Sequence, residues 1–517
     1  MTEKIANKLI TALLDKSAYD HSTYKITLLE THISWVILTG EFAYKIKKPV
    51  NLGFLDFSTV EKRHFYCNEE LRLNSRLAPQ LYLAVVTING SKQKPYINGD
   101  GKVIEYAVKM RQFSQQTQFD RLLENNKLTE MQIDSLASTV AKFHSEAEIA
   151  DKQSEYGNSE TILTPAIENF TQIKKQHDFI CDIDQLKQLE DWSYNYYYSH
   201  KNTFFHRKNN NYIRECHGDM HLRNIAYWQD EIVIFDCLEF DDKLRWIDVI
   251  SEIAFSVMDL DERNKQHLAW RFLNAYLEYT GDYSAITVFR FYLVYRAMVR
   301  AKINCIQSQQ IHADSLLQHK LIQNYNNYIN LALNYTKTKQ TKLIITHGLS
   351  GTGKTTLSQK VLEKKSLIRL RADIERKRLF GLDALSFSNS NLNSNLYSKV
   401  ATDKTYQQLF KFAKPILQNG WSVIIDASFL DVKYRQQALL LAEQNNAQFI
   451  ILDCHASKAK LQQRITTRLA SKIDASEACH TVLEQQIKDY QPITTKEHKY
   501  TIQINTEHPL KDIQFLI

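Results

Sequence analysis

Hydrophobic and polar residues alternate along the first part of the chain in the way that half-buried strands require. The pattern predicts strands over 35–38, 41–46, 82–88 and 103–110, with a helix over about 61–76. A turn signal, Asn98-Gly99-Asp100-Gly101, precedes the last of these strands. Residues 1–110 are therefore predicted to form a mixed α/β region.

Helical spacing dominates from residue 122 to about 335, apart from a short β-rich island at 225–235. Residues 334–342 are polar and lack large aliphatic side chains, as is typical of a segment between domains. Helical stretches then separate five predicted strands, over 343–346, 367–370, 422–425, 448–452 and 501–504. This alternation predicts a parallel α/β sheet and two domains, 1–335 and 341–517.

The composition narrows the class of protein. The chain has 517 residues, 44% of them hydrophobic, and a net charge of +7, which is too small for this length to indicate a dedicated nucleic-acid binder. Its seven cysteines form no CxxC pair, which favours a reducing compartment without a zinc site or a disulfide frame. The N-terminal residues lack a signal-peptide apolar core, and no 18 apolar residues run uninterrupted, so we expect a soluble, cytoplasmic protein without a membrane partner.

Glycine is scarce, with 13 residues in the whole chain, so a cluster of glycines indicates a backbone requirement. Three of them lie within the motif GLSGTGKT at 348–355, between a predicted strand and a predicted helix. The motif fits GxxxxGK[ST], in which backbone N–H groups surround a phosphate, the lysine reaches the β- and γ-phosphates, and the last hydroxyl binds Mg²⁺. The predicted ATP contacts are Gly348, Ser350, Gly351, Thr352, Gly353, Lys354, Thr355 and Thr356, with Thr355 also a metal ligand.

Polar residues follow the other strands of this predicted sheet. Asp373 comes directly after the second strand, where it would accept a proton from a substrate hydroxyl, or else cap a helix. Asp426 follows a buried strand in the position of an acid that orients Mg²⁺, with a helix cap again the alternative. Arg464 and Arg468 are four residues apart and form either a lid over the phosphates or a solvated helix face.

A second constellation lies in the β-rich island. In His217-Gly218-Asp219-Met-His221-Leu-Arg-Asn224, Asp219 and Asn224 share one loop, and a predicted hairpin brings Asp236 back beside Asn224. Asp219 would orient the attacking hydroxyl, and Asn224 and Asp236 would bind Mg²⁺. A hydrolytic metal site built on HxDxH is an alternative, but it leaves Asn224 and the hairpin without a role.

An upstream strand supplies the predicted partner for the phosphates. Lys45 occupies the place of the lysine in VAIK, and Lys47 is its rival on the same face. Glu70 would pair with this lysine from the following helix, with Glu69 the alternative. Residues 108–113 are predicted as a hinge that meets adenine, and Asp248 as an acid that supports the catalytic loop.

Residues 20–330 resemble the aminoglycoside phosphotransferase-like kinases through HGDMHLRN, the later Asp236 and the Val140-Ala-Lys-Phe-His144 segment. Only Thr39-Gly40 stands where a glycine-rich loop is usual. Residues 341–517 resemble the small-molecule and polynucleotide-kinase-like P-loop kinases, which include zeta toxins. The order of the two is similar to that of bifunctional aminoglycoside phosphotransferase/ATP-binding proteins.

This resemblance implies a protein-kinase-like bilobal fold before the P-loop domain, and ATP and Mg²⁺ as cofactors. We expect a phosphotransferase with two nucleotide sites that acts on hydroxyl groups of small molecules. Two alternatives are a nucleic-acid end-repair kinase in the C-terminal domain and a nucleotide-sensing regulator with an N-terminal pseudokinase. The acceptor of either site and the oligomeric state do not follow from the sequence.

Overall fold

The computed structural model describes residues 3–53, 55–176, 182–311, 315–383, 398–471 and 479–508. These residues divide into two compact units, one built from 1–135, 142–165 and 204–259 and the other from 136–141, 166–203 and 260–517. Among the helices of the described ranges, none is both long and apolar enough to span a bilayer.

The first unit is built on a six-stranded antiparallel sheet with the order β1-β2-β3-β6-β4-β5. Its strands are β1 (Thr27–Glu30), β2 (Ser34–Leu38), β3 (Phe42–Lys47), β4 (Tyr82–Gly90), β5 (Pro95–Ile97) and β6 (Val103–Arg111). The four strands predicted here are confirmed, whereas the short edge strands β1 and β5 were not predicted. Helix α2 (Val60–Asn74) packs against β4 and β6.

The remaining elements of this unit place the loop of the HGD motif. Short strands β7 (Ile213–Glu215) and β10 (Trp246–Asp248) pair before and after the loop, and β8 (Ile225–Trp228) and β9 (Glu231–Ile234) form the predicted hairpin. Ala226 and Val233 of the hairpin pack in one apolar cluster with Tyr82 and Val108 of the sheet. The helices contributing to the unit are α1 (Glu3–Ala12), α3 (Phe119–Glu124), α4 (Glu130–Glu146), α5 (Ser159–Lys174), α7 (Lys201–Asn209) and α8 (Val249–Glu262).

The second unit contains a five-stranded parallel sheet with the order β12-β13-β11-β14-β15. Its strands are β11 (Lys342–His347), β12 (Ile368–Arg371), β13 (Val423–Asp426), β14 (Gln448–His455) and β15 (Thr501–Asn505). The central strands are apolar on both faces because helices cover both sides of a parallel sheet. All five predicted strands are therefore confirmed, with ends that shift by up to three residues.

Helices of the second unit come from both sides of the predicted boundary. Those before it are α6 (Ile183–Ser199), α9 (Gln266–Thr280), α10 (Ile286–Gln309) and α11 (Leu316–Thr336). Those after it are α12 (Lys354–Lys365), α13 (Ala372–Leu379), α14 (Lys399–Gln418), α15 (Val432–Gln444), α16 (Lys458–Ser471) and α17 (His480–Asp489). Helix α9 packs against α12 and β12, so a helix from the first predicted domain is part of the core around the parallel sheet.

Candidate functional sites

Two lysines of β3 point toward α2. They are two residues apart and so share a face of the strand. Lys45 Nζ lies 2.7 Å from Glu70 Oε1 and 2.5 Å from Asp236 Oδ1. Lys47 Nζ lies 2.7 Å from the other oxygen of Glu70 and also binds Glu239. Both lysines therefore pair with Glu70, and of the two it is Lys45 that also contacts Asp236.

Glu69, the rival of Glu70, faces outward and pairs with Arg72 on its own helix. Glu70 is completely buried. Burial alone would raise its pKa, but the two lysines dominate and lower it to about 2. Burial likewise opposes the charge of Lys45, whereas Asp236 and Glu70 raise its pKa well above the usual value. Both groups therefore stay ionised at neutral pH.

The loop of the HGD motif needs its glycine. Gly218 has φ +89°, and a Cβ there would lie 2.8 Å from the carbonyl oxygen of Leu244. His217 is buried beside it, with Nε2 at 2.9 Å from the carbonyl oxygen of Phe235. Burial lowers the pKa of His217, so the ring is neutral at pH 7. Its hydrogen bond to Phe235 helps to fix the position of the loop.

Three polar side chains meet in front of this loop. The Asn224 side-chain amide donates to Oδ2 of Asp219 at 3.2 Å and to its carbonyl oxygen at 3.0 Å. The Phe235 N–H donates to the carbonyl oxygen of Asn224 at 2.9 Å, which brings the next residue, Asp236, to the same place. Asp236 adopts φ +65°, and its N–H donates to the hydroxyl of Tyr82. The carboxylates of Asp219 and Asp236 are 32% and 48% exposed, so a ligand has access to both.

Helix α8 holds the loop from behind. Glu252 accepts from the Gly218 N–H at 2.6 Å, Ser256 donates to the Met220 carbonyl at 2.6 Å, and Asp259 accepts from the Leu222 N–H at 2.9 Å. Spacings of four and three residues put the three side chains on one helix face. His144 Nε2 lies 2.9 Å from Glu252, which links the Val140–His144 segment to the loop.

Sequence reasoning missed these three residues, although their helical spacing is a usable signal. It assigned the supporting role to Asp248 instead. The structure places that carboxylate on Arg207, at 2.6 and 2.8 Å, and on the N–H of Ile250. Asp248 thus anchors the start of α8, and the direct hydrogen bonds to the loop come from further along that helix.

The first two turns of the antiparallel sheet contain little glycine. The β1–β2 connection has none, and Thr31 closes it by hydrogen bonds with Ser34. In the β2–β3 turn, the N–H of Gly40 donates to the side chain of Gln112 at 2.8 Å. The predicted hinge at 108–113 covers the end of β6 and the residues that follow it.

The GLSGTGKT loop follows β11. Gly348, Gly351 and Gly353 all have positive φ. A Cβ on Gly348 would collide with the carbonyl oxygen of Cys454, and Gly353 forms the left-handed N-cap of α12. The loop is therefore wound so that the first turn of α12, with Lys354, Thr355 and the exposed Thr356, begins at its end.

The groups of this loop that would bind phosphate are hydrogen-bonded to other groups of the chain. Lys354 Nζ donates to the Leu349 carbonyl at 2.7 Å, and the N–H of Ser350 donates to the Gln486 carboxamide oxygen at 2.8 Å. Thr352 also donates to the Leu349 carbonyl. Burial lowers the pKa of Lys354, against the charges of Asp426 and Asp373. Sequence analysis did not find Gln486, which lies more than a hundred residues downstream.

Asp426 ends β13 beside the first turn of α12. Ser358 donates to Oδ2 of Asp426 at 3.2 Å and to the carbonyl oxygen of Thr355 at 3.0 Å. Ser358 thus links the carboxylate of Asp426 to the backbone of Thr355. The carboxylate of Asp426 is 5% exposed, and Arg371 Nε lies 3.8 Å from it.

Asp373 lies in the first turn of α13, whose N-cap is Arg371, so Asp373 is not the cap itself. Its carboxylate is 32% exposed and pairs with Arg376 at 3.0 Å. Arg464 donates to the Gly351 carbonyl at 3.1 Å and to Thr506. Arg464 of α16 therefore contacts the P-loop, and the charge of Arg468 acts to lower the pKa of Lys354.

A family model and several known proteins are similar to this chain or to parts of it. Residues 343–493 match the AAA_33 family, described as an AAA domain. An uncharacterized protein of Mycobacterium tuberculosis (strain ATCC 25618 / H37Rv) is 29% identical over 471 residues, which cover 90% of this chain and 91% of the relative.

Two solved structures are among the similar ones. A choline/ethanolamine kinase family protein from Mesorhizobium loti is 10% identical, with 64% of this chain and 99% of that chain covered and a TM-score of 0.39. A gluconokinase from Sinorhizobium meliloti 1021 is 15% identical, with 33% of this chain and 86% of that chain covered and a TM-score of 0.22.

The antiparallel sheet with its Lys45–Glu70 pair and HGD loop is a protein-kinase-like arrangement. The parallel sheet with a glycine loop before α12 is a P-loop fold. The N-terminal region thus has a protein-kinase-like fold, and residues 343–493 of the C-terminal P-loop fold match the AAA_33 family.

Proposed function

We propose that this chain is an ATP- and Mg²⁺-dependent phosphotransferase with two nucleotide sites, each of which transfers the γ-phosphate to a hydroxyl group of a small molecule. The observation that carries the proposal is the Lys45–Glu70 ion pair of 2.7 Å, which reaches Asp236 beside Asp219 and Asn224. A phosphotransfer site needs a cation for the phosphates, oxygen ligands for a metal and a carboxylate for the acceptor, and these five residues supply all three.

In the N-terminal site, Asp219 orients the acceptor hydroxyl and takes its proton as the new bond to phosphorus forms and the bond between the γ-phosphorus and the β–γ bridging oxygen breaks, which releases ADP. The Asn224 amide holds that carboxylate in place. Lys45 contacts the phosphates, and the ion pair with Glu70 fixes the orientation of the lysine side chain. Lys45 also binds Asp236 at 2.5 Å, and nucleotide binding would exchange this contact for a phosphate.

The donor set fits Mg²⁺, which prefers oxygen ligands. Asn224 and Asp236 would hold the ion in the N-terminal site, and Thr355 and Asp426 in the C-terminal site. Mg²⁺ held there would offset the negative charge of the phosphates. The exposed carboxylate of Asp236 and the serine-linked pair of Thr355 and Asp426 support these assignments.

In the C-terminal site, the loop from Gly348 to Gly353 surrounds the phosphates with N–H groups, and Lys354 moves from the Leu349 carbonyl to the phosphates. Asp373 activates the acceptor hydroxyl, and its partner Arg376 binds an anionic group of the acceptor. Arg464 and Arg468 would close over the phosphates, and the hydrogen bond from Arg464 to the Gly351 carbonyl supports this role for Arg464.

Phosphoryl transfer from radiolabelled ATP to a library of sugars, amino alcohols and nucleosides tests the proposal. Asp219→Ala should lower transfer to one acceptor class by about 10²–10⁴-fold, as expected for loss of a general base. Lys354→Ala should abolish transfer to the other class. Matched controls are Asp230→Asn on the turn of the β8–β9 hairpin and Lys360→Ala on the exposed side of α12, which should retain full transfer.

The outcomes separate the alternatives. Wild-type transfer in both Asp219→Ala and Lys354→Ala would exclude the two-site mechanism. ATP binding without transfer to any acceptor would favour a nucleotide-sensing regulator. Transfer to the 5′-hydroxyl of an oligonucleotide, lost in Lys354→Ala, would instead indicate nucleic-acid end repair.

A further inference from the structure

Four buried charged side chains lie together where β12 and β13 end. Arg369 Nε is 2.7 Å from Glu278 Oε1, and Arg371 Nη1 is 3.5 Å from Glu278 Oε2. Arg371 Nε is in turn 3.8 Å from Asp426 Oδ2. The side chains are between 5% and 11% exposed. Arg371 therefore lies between two carboxylates, one of which is the predicted metal ligand of the P-loop site.

Glu278 reaches this cluster from α9, which precedes the predicted domain boundary. The helix is held in a fixed register: Asn274 donates to the Leu367 carbonyl at 2.8 Å and accepts from the Arg369 N–H at 2.6 Å. Arg371 and Asp426 are paired residues of the parallel strands β12 and β13. The position of Glu278 relative to Asp426 is thus set by backbone contacts on both sides.

We propose that Glu278 is a positioning residue for the P-loop site, where it draws Arg371 away from Asp426 and leaves that carboxylate available to a divalent cation. This inference rests on the proposed function of the C-terminal site. The residues suit the role, because Asp426 and Thr355 present oxygen donors and Arg371 would compete for the same oxygens if it had no second carboxylate.

The charge balance gives the reason. Arg369 and Arg371 share Glu278, and Arg371 also lies 3.8 Å from Asp426. Without the charge of Glu278, the buried guanidinium of Arg371 would move closer to Asp426, because a buried cation is stabilised by the carboxylate that remains beside it. A bidentate arginine pair would then occupy the oxygens of Asp426. Residues behind metal ligands typically change metal affinity by about 10–100-fold when they are replaced.

The design uses four variants of the full chain. Glu278→Gln removes the negative charge, and Glu278→Gln with Arg371→Gln also removes the competing cation. Arg369→Gln should not weaken metal binding, because Glu278 then pairs with Arg371 and no longer with Arg369. The matched control is Glu363→Gln, which breaks the 2.8 Å pair between Arg271 of α9 and α12 without touching Asp426.

Mn²⁺ is the probe, and its binding in the presence of ADP is followed by the EPR signal of the free ion. All variants carry Asp236→Asn, which removes a predicted metal ligand of the N-terminal site. Binding at the C-terminal site is measured as the Mn²⁺ binding that is lost in Lys354→Ala. Glu278→Gln should weaken this binding about tenfold. The double variant should recover most of it, and Arg369→Gln and Glu363→Gln should bind at least as tightly as the background.

Thermal unfolding of every variant shows whether the chain is folded. If Glu278→Gln does not fold, Arg369→Gln still tests the sign of the effect on Mn²⁺ binding. Equal Mn²⁺ binding in Glu278→Gln and Glu363→Gln would overturn the inference. So would a double variant as weak as Glu278→Gln, or an Arg369→Gln variant weakened tenfold. Absence of any Mn²⁺ binding that depends on Lys354 would instead refute the proposed function of the C-terminal site.

Discussion

Glu252 is the residue on which the geometry of the N-terminal loop most depends. Its carboxylate is buried and accepts hydrogen bonds from the Gly218 N–H at 2.6 Å and from His144 at 2.9 Å. Burial acts to raise the pKa of Glu252, but His144 and the N–H of Gly218 together lower it below the usual value. The Glu252→Ala substitution would leave both donors buried without this acceptor.

The cost follows from the two contacts. A hydrogen bond to a charged group contributes about 1.5–3 kcal/mol, so the loss of both should lower the free energy of unfolding by about 3–6 kcal/mol. Glu252→Gln keeps an acceptor for Gly218 and should cost about half as much. A shift of the loop by about 1 Å would move Asp219 from its working position and lower kcat by about 10²-fold.

Hydrogen exchange of the full chain, read by mass spectrometry, measures the effect locally. Glu252→Ala should expose the amides of 217–224 to exchange, whereas peptides that cover 348–355 should be unchanged. The matched control is Glu146→Ala, an exposed carboxylate two residues from His144. Unchanged protection of 217–224 together with an unfolding free energy within about 0.5 kcal/mol of wild type would refute this account of the loop.

Three further predictions concern single side chains. Glu375 is buried, and burial raises its pKa from 4.5 to about 7. The folded chain thus binds more protons than the unfolded chain between those values, and stability falls as pH rises through them. Glu375→Gln should therefore stabilise the chain at pH 8, by up to about 3 kcal/mol, and not at pH 4, as measured by urea unfolding. An equal effect at both pH values would contradict it. Gln486→Ala frees the N–H of Ser350 and should tighten ATP binding about threefold to tenfold in titration calorimetry, because no hydrogen bond of about 1 kcal/mol must be displaced. Weaker binding would show that Gln486 supports the loop. Glu70→Gln should destabilise the chain by about 1.5–3 kcal/mol because each of the two buried lysines loses one of its two carboxylate partners, whereas Glu69→Gln, whose carboxylate is 22% exposed, should cost under about 1 kcal/mol. Equal urea midpoints for the two would contradict the assigned pair.

Local pattern was sufficient for most of the fold. The alternation of apolar residues predicted four strands of the antiparallel sheet and all five of the parallel sheet, because a strand that buries one or both faces leaves that record in its own residues. The edge strands β1 (Thr27–Glu30) and β5 (Pro95–Ile97) were missed, since at three or four residues they are too short to show a period. GLSGTGKT and HGDMHLRN were likewise found because their chemistry needs several residues close together in the chain.

The contacts that complete each site join residues far apart in the chain, and only the tertiary structure decided them. Glu70 and Glu69 are equivalent in sequence, and the direction in which α2 packs against β4 and β6 selects Glu70 for Lys45. Glu252 and Gln486 acquire their partners only when α8 and α17 dock on loops 34 and 136 residues away. Periodicity and motif spacing act within one element, whereas these pairings depend on how elements pack, so the sequence determined the elements and their two motifs and the packing determined which side chains serve them.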